Sequence, residues 1–217
     1  MVSKSNIVDL GRNLLNDKQI KIDIDKIAEI DADVGAAIRS IGYPQPRIRL
    51  EGYETLFAII IGQQISTSAA AAIMSRVRDL LPRLEADVLL DLPAGALREA
   101  GLSNRKVEYA EGLASAIVEG NFVPEALPAM DDEAVIQAIT ALRGFGVWSA
   151  EIYLMFSLQR RDIFPANDLA LQVALQRLKG LEQRPDEKQA RELIEHWSPW
   201  RSAGSLFLWH YYRGAPT

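Results

Sequence analysis

Capped helical periodicity recurs about every 10 to 20 residues along this chain and strand patterning is nearly absent, which restricts it to an all-α fold. From Asp25 to Ile41 the apolar positions Ile27, Ile30, Val34, Ala37, Ile38 and Ile41 share one face, predicting a single amphipathic helix that the YPQPRI segment ends. Tyr53 to Ile61 is a strongly apolar helix, and Ser66 caps Thr67 to Leu81 before Pro82 stops it. Ala86 to Leu92 and Ala94 to Ala100 fit shorter helices, the second closed by Gly101. Ser103 starts a helix to Glu119, and Asp131 or Asp132 caps one that runs to Leu142. Val147 to Leu158 and Asp168 to Leu178 follow, then Asp186 to Trp197 with Pro185 in its first turn, and finally Trp200 to Tyr212 after Pro199. The expectation is about ten helices in two small lobes flanking a cleft, with a middle lobe over 52–160 and the two ends together forming the other.

A length of 217 residues, 48% apolar and 24% charged, suffices to bury a core without a partner, so a monomer is expected. There is no cysteine, which rules out disulfides, zinc–thiolate sites, an iron–sulfur cluster and a thiol nucleophile. Only His196 and His210 are present, too few for a multi-histidine metal centre. The N-terminus lacks the apolar core of a signal peptide, and no run is long enough to span a bilayer, so a cytoplasmic protein without a membrane partner is expected. A net charge of −5 argues against broad nonspecific binding to nucleic acid. The acidic residues cluster, however, and leave Arg105, Lys106, Arg143, Arg160 and Arg161 in neighbourhoods that are not acidic overall.

The segment from Leu142 to Ala150, LRGFGVWSA, lies between two predicted helices. Its paired glycines let a phosphate approach bare N–H groups, and the helix that follows adds the positive end of its dipole. Such a grip needs no lysines and reconciles an acidic chain with DNA. On spacing alone the stronger reading of the segment is a tight connector, and that of Asp168, at the next helix start, is a plain N-cap.

The nonapeptide resembles the hairpin of the helix-hairpin-helix DNA glycosylases, whose usual form is L-P-G-[IV]-G-x-[KW]-[ST]-A, with Arg143 in place of the proline. Asp168 falls about 20 residues beyond it, where that family carries its functional aspartate. Ile60 to Ser66 (IIGQQIS), Leu97 to Tyr109 (LREAGLSNRKVEY), Trp197 to Ala203 (WSPWRSA) and Trp209 resemble the DNA-3-methyladenine glycosylase II branch.

The resemblance implies one glycosylase domain over 1–217 that excises alkylated purines such as 3-methyladenine from double-stranded DNA by base flipping. It implies that the Asp168 carboxylate stabilises the oxocarbenium-like sugar and directs water to it. An alkylated purine departs neutral, so the lack of an obvious second acid fits that substrate class. Trp148 stands where bifunctional relatives carry a Schiff-base lysine, which implies a monofunctional enzyme whose product is an abasic site. Trp148 and Trp209, with Tyr153, are expected to line the base pocket; an indole face attracts a cationic purine by on the order of 1–2 kcal/mol. Trp197 and Trp200 are read as core. Gln64 is the expected wedge that fills the vacated stack; the alternative is a loop that merely joins two helices, with Gln63 capping one of them. Arg143, Gly144, Gly146, Ser149, Arg105 and Lys106 are the further expected DNA contacts. No cofactor is required; relatives often hold a structural monovalent or divalent cation on hairpin carbonyls, here those of Thr140, Leu142 and Phe145. The rival reading is a noncatalytic module that uses the same hairpin only to hold damaged or duplex DNA.

Overall fold

A computed structural model describes residues 15–214. The stretch 1–14, part of the N-terminus read above for a signal peptide, lies outside them. Among the described residues there are twelve α-helices, two short 3-10 segments and no strand. None of these helices is long and apolar enough to cross a membrane. The chain divides into two compact units, one of Arg49–Leu158 and one of the segments that end at Ile48 and begin at Gln159.

The central unit holds α3 (Tyr53–Gly62), α4 (Thr67–Leu80), α5 (Ala86–Leu90), α6 (Ala96–Glu99), α7 (Asn104–Val118), α8 (Asp132–Thr140) and α9 (Val147–Phe156). A 3-10 segment at Pro124–Ala129 precedes α8 and was not legible in the sequence, because a proline lies inside it. Helices α3 and α9 are apolar all round and form the core, with Phe57, Ile60, Tyr153, Leu154 and Met155 all fully inaccessible. Local capping sets the boundaries: Ser66 accepts from Ala69 N–H at 3.2 Å, Ser103 from Lys106 N–H at 3.3 Å and Asp131 from Ala134 N–H at 2.8 Å.

The other unit holds α1 (Asp17–Ile30), α2 (Ala32–Ile41), α10 (Leu169–Leu178), α11 (Glu187–Leu193) and α12 (Arg201–Gly214). The expected single helix from Asp25 to Ile41 is two. Asp31 leaves the helical region at φ −135° and ψ 99°, and its carboxylate caps α2. That carboxylate also accepts from Lys179 Nζ at 2.6 Å and from Trp197 Nε1 at 2.8 Å, contacts no local pattern reveals. Pro185 is likewise not in a first turn: it precedes Asp186, the N-cap of α11, which forms a capping box with Gln189. Trp197 is fully buried against α12, where a Cβ on Gly204 would lie 2.5 Å from the indole.

Candidate active site

The hairpin joins α8 to α9 within the central unit. Leu142 C=O accepts from Phe145 N–H at 3.2 Å, and Phe145 turns inward with 6% of its surface exposed. Gly144 is held at φ 94°, and a Cβ there would lie 2.3 Å from the ring of Tyr109. Glycine is therefore required at that position twice over, by conformation and by space. Gly146, the N-cap of α9, has an ordinary φ of −106°, yet a Cβ on it would meet nothing within 4 Å. No side chain caps the N-terminus of α9. That end presents backbone to an open approach, the arrangement that suits an anion at a helix start.

Three expected DNA contacts behave differently from the reading above. Ser149 has only 3% of its surface exposed and cannot reach out to a phosphate. Lys106 turns inward, donating at 2.7 Å to both Ile61 C=O and Gln63 C=O at the end of α3, and desolvation by burial lowers its pKa. Arg143 is exposed, but its guanidinium is paired with Glu108. Arg105 is exposed in the first turn of α7, and Trp148 is half-buried in the first turn of α9.

Tyr153 has no exposed surface, and its hydroxyl accepts from Gly52 N–H at 2.9 Å. It belongs to the core, where burial raises its pKa. Gln63 is the C-cap of α3, as expected, and its side-chain amide donates to Gly144 C=O at 2.8 Å. Gln64 is exposed and sits at φ 57°.

In the other unit, Asp168 is the N-cap of α10. Its Oδ1 accepts from Ala170 N–H at 2.9 Å, from Leu171 N–H at 3.1 Å and from Trp209 Nε1 at 3.2 Å. The cap and the tryptophan contact share one oxygen atom, so the half-buried carboxylate is held in one orientation. Trp209 is 8% exposed, and the guanidinium of Arg47 lies 5.8 Å from its ring centroid, within cation–π range. The sequence offered no sign of Arg47, which lies in a coil read only as a helix breaker. Among the described residues no group of three His, Cys, Asp or Glu side chains could hold a metal, so any hairpin cation would rest on carbonyls.

Residues 57–199 match the HhH-GPD superfamily of base excision DNA repair proteins. The chain belongs to that family. The chain is 27% identical over 191 residues to DNA-3-methyladenine glycosylase 1 of Schizosaccharomyces pombe, covering 84% of this chain and 83% of that one. It is 28% identical to DNA-3-methyladenine glycosylase 2 of Escherichia coli over 82% of its own length, and spans 65% of that relative. Its fold is similar to that of Schizosaccharomyces pombe 3-methyladenine DNA glycosylase in complex with abasic DNA, with a TM-score of 0.83 and 25% identity over 89% of this chain and 98% of that one. The all-helical architecture and the resemblance read from the motifs both agree with the family match.

Proposed function

We propose that this chain is a monofunctional DNA glycosylase that removes alkylated purines, 3-methyladenine above all, from double-stranded DNA and leaves an abasic site. The observation that carries the reading is Asp168, whose carboxylate is fixed by Ala170 N–H, Leu171 N–H and Trp209 Nε1. Base flipping brings the sugar of the extruded nucleotide to it. As the N-glycosidic bond breaks, the electron pair leaves with the purine, and positive charge spreads over the ribose ring. The carboxylate stabilises that charge and orients the water that adds to the anomeric carbon, its proton passing to solvent. Fixing the carboxylate beforehand removes the cost of reorganising it during the reaction.

Trp209 orients the Asp168 carboxylate, and Trp148, half-buried at the start of α9, offers an indole to a cationic base but no amine for a covalent intermediate. The open backbone at Gly146 takes a phosphate, and Gln64 fills the gap in the stack. A cation on the carbonyls of Thr140, Leu142 and Phe145 would be structural. The protein works as a cytoplasmic monomer without a redox cofactor.

The test is chromatographic detection of free bases released from methylated duplex DNA, comparing wild type with Asp168→Asn. Asparagine still caps α10, so the variant should fold and bind DNA as wild type does while releasing no base. DNA binding without base release by the wild type would favour the noncatalytic module instead.

A further inference from the structure

Gln64 is one of only two described non-glycine residues with positive φ, and it is exposed at the tip of the turn between α3 and α4. A left-handed conformation is costly for a residue with a side chain, so something around it must impose that geometry. The surroundings are specific. Lys106 Nζ donates at 2.7 Å to Ile61 C=O and at 2.7 Å to Gln63 C=O, closing the end of α3 with a cation where the helix dipole is negative. Gln63 then reaches from the same turn to Gly144 C=O at 2.8 Å. One turn further along α7, the ring of Tyr109 lies against Gly144, and Glu108 pairs with Arg143. A single stretch of α7, from Lys106 to Tyr109, therefore touches both the Gln64 turn and the Gly144 hairpin.

We propose that Lys106 and Gln63 are positioning residues that lock the Gln64 wedge at a fixed offset from the hairpin, so that prying a base pair open and holding the nearby phosphate happen as one rigid act. The inference rests on the reading that this chain flips bases with Gln64 as wedge. Lys106 contacts no substrate in this scheme. Its burial costs desolvation that a surface lysine would not incur, which is reasonable where the position of a loop must be set to within an ångström.

The experiment measures single-turnover release of 7-methylguanine from two duplexes, one with the lesion paired to cytosine and one with it opposite a tetrahydrofuran abasic analogue. In the second there is no partner base to pry away. Lys106→Met keeps the aliphatic stem and removes the donors; it and Gln63→Ala should slow release from the paired duplex on the order of tenfold or more, and from the unpaired duplex far less. Gln64→Ala should show the same split, and Lys106→Arg, which can still donate to both carbonyls, should restore most of the rate. Equal losses on both duplexes would mean a general structural role and overturn the inference. A wild type that releases no base from these duplexes or from methylated duplex DNA removes the glycosylase reading itself. A Gln64→Ala variant without the split removes the wedge and the inference with it. A split in Gln64→Ala alone removes only the brace.

Discussion

At the scale of single residues, the two hairpin glycines do different work despite standing two positions apart. Gly144→Ala would combine an unfavourable φ of 94° with a methyl group 2.3 Å from the Tyr109 ring, and should cost roughly 2–4 kcal/mol of stability. Gly146→Ala meets open space at an ordinary φ, so thermal unfolding should barely change. The new methyl would stand over the bare backbone at the start of α9, and affinity for a duplex should fall severalfold. Calorimetry together with a fluorescence-anisotropy titration separates the two outcomes; equal stability losses in both variants would contradict this division of labour. Both glycines were legible in the sequence as a hairpin, but their distinct reasons were not, since Tyr109 meets Gly144 only in the folded chain.

At the scale of elements, the break between α1 and α2 is the point where tertiary bonds override periodicity. Asp31 has only 2% of its side chain exposed and is bonded by Lys179, Trp197 and His196. Removing it leaves the buried Trp197 N–H without an acceptor and Lys179 with only Asp33, so Asp31→Ala should cost on the order of 2–4 kcal/mol in urea unfolding. Burial alone would raise the Asp31 carboxyl, but the hydrogen bonds from Lys179, Trp197 and His196 and the Lys179 charge hold it below its ordinary 3.8. A folded-state value below the unfolded one contributes stability that is present above about that pH and lost as pH falls through the folded value. Asp162, held low by Arg201 against the opposing effect of its burial, acts in the same direction. Urea unfolding followed from pH 6 to pH 2.5 should therefore show wild type losing stability below about pH 4, while Asp31→Asn, weaker throughout, declines less over that interval. Burial would likewise lower Lys179, yet its bonds to Asp31 and Asp33 leave it above 10.5, so its contribution is lost only at strongly alkaline pH. The helices that Ser66, Ser103, Asp131 and Asp168 cap needed no such correction at their starts, because each closes through bonds two or three residues long. Bonds that short leave their signature in the local sequence.

At the scale of the whole molecule, a net charge of −5 sets the terms on which DNA is held. Of Arg105, Lys106 and Arg143, the cations that the sequence suggested as DNA contacts, two are engaged elsewhere, Lys106 with helix carbonyls and Arg143 with Glu108. Affinity measured between 50 and 200 mM salt should therefore change with a shallow log–log slope of about −2 to −3, and a slope near −8 would show a basic surface that this reading lacks. From the family resemblance came the reading of Asp168 as more than a helix cap; by itself the sequence determined the helical class, nearly every helix start and the glycine turn between α8 and α9. Each of these is written in a contiguous stretch, through spacing, caps and turn residues. Only the tertiary structure decided that Asp31 divides a helix, that Lys106, Ser149 and Tyr153 face inward, and that Arg47 lies over Trp209. For Asp31, Lys106, Tyr153 and Arg47 the partners lie 43 to 166 residues away. A side chain's sequence neighbours set its secondary structure, but whether it meets DNA, solvent or another helix depends on which distant groups folding brings to it.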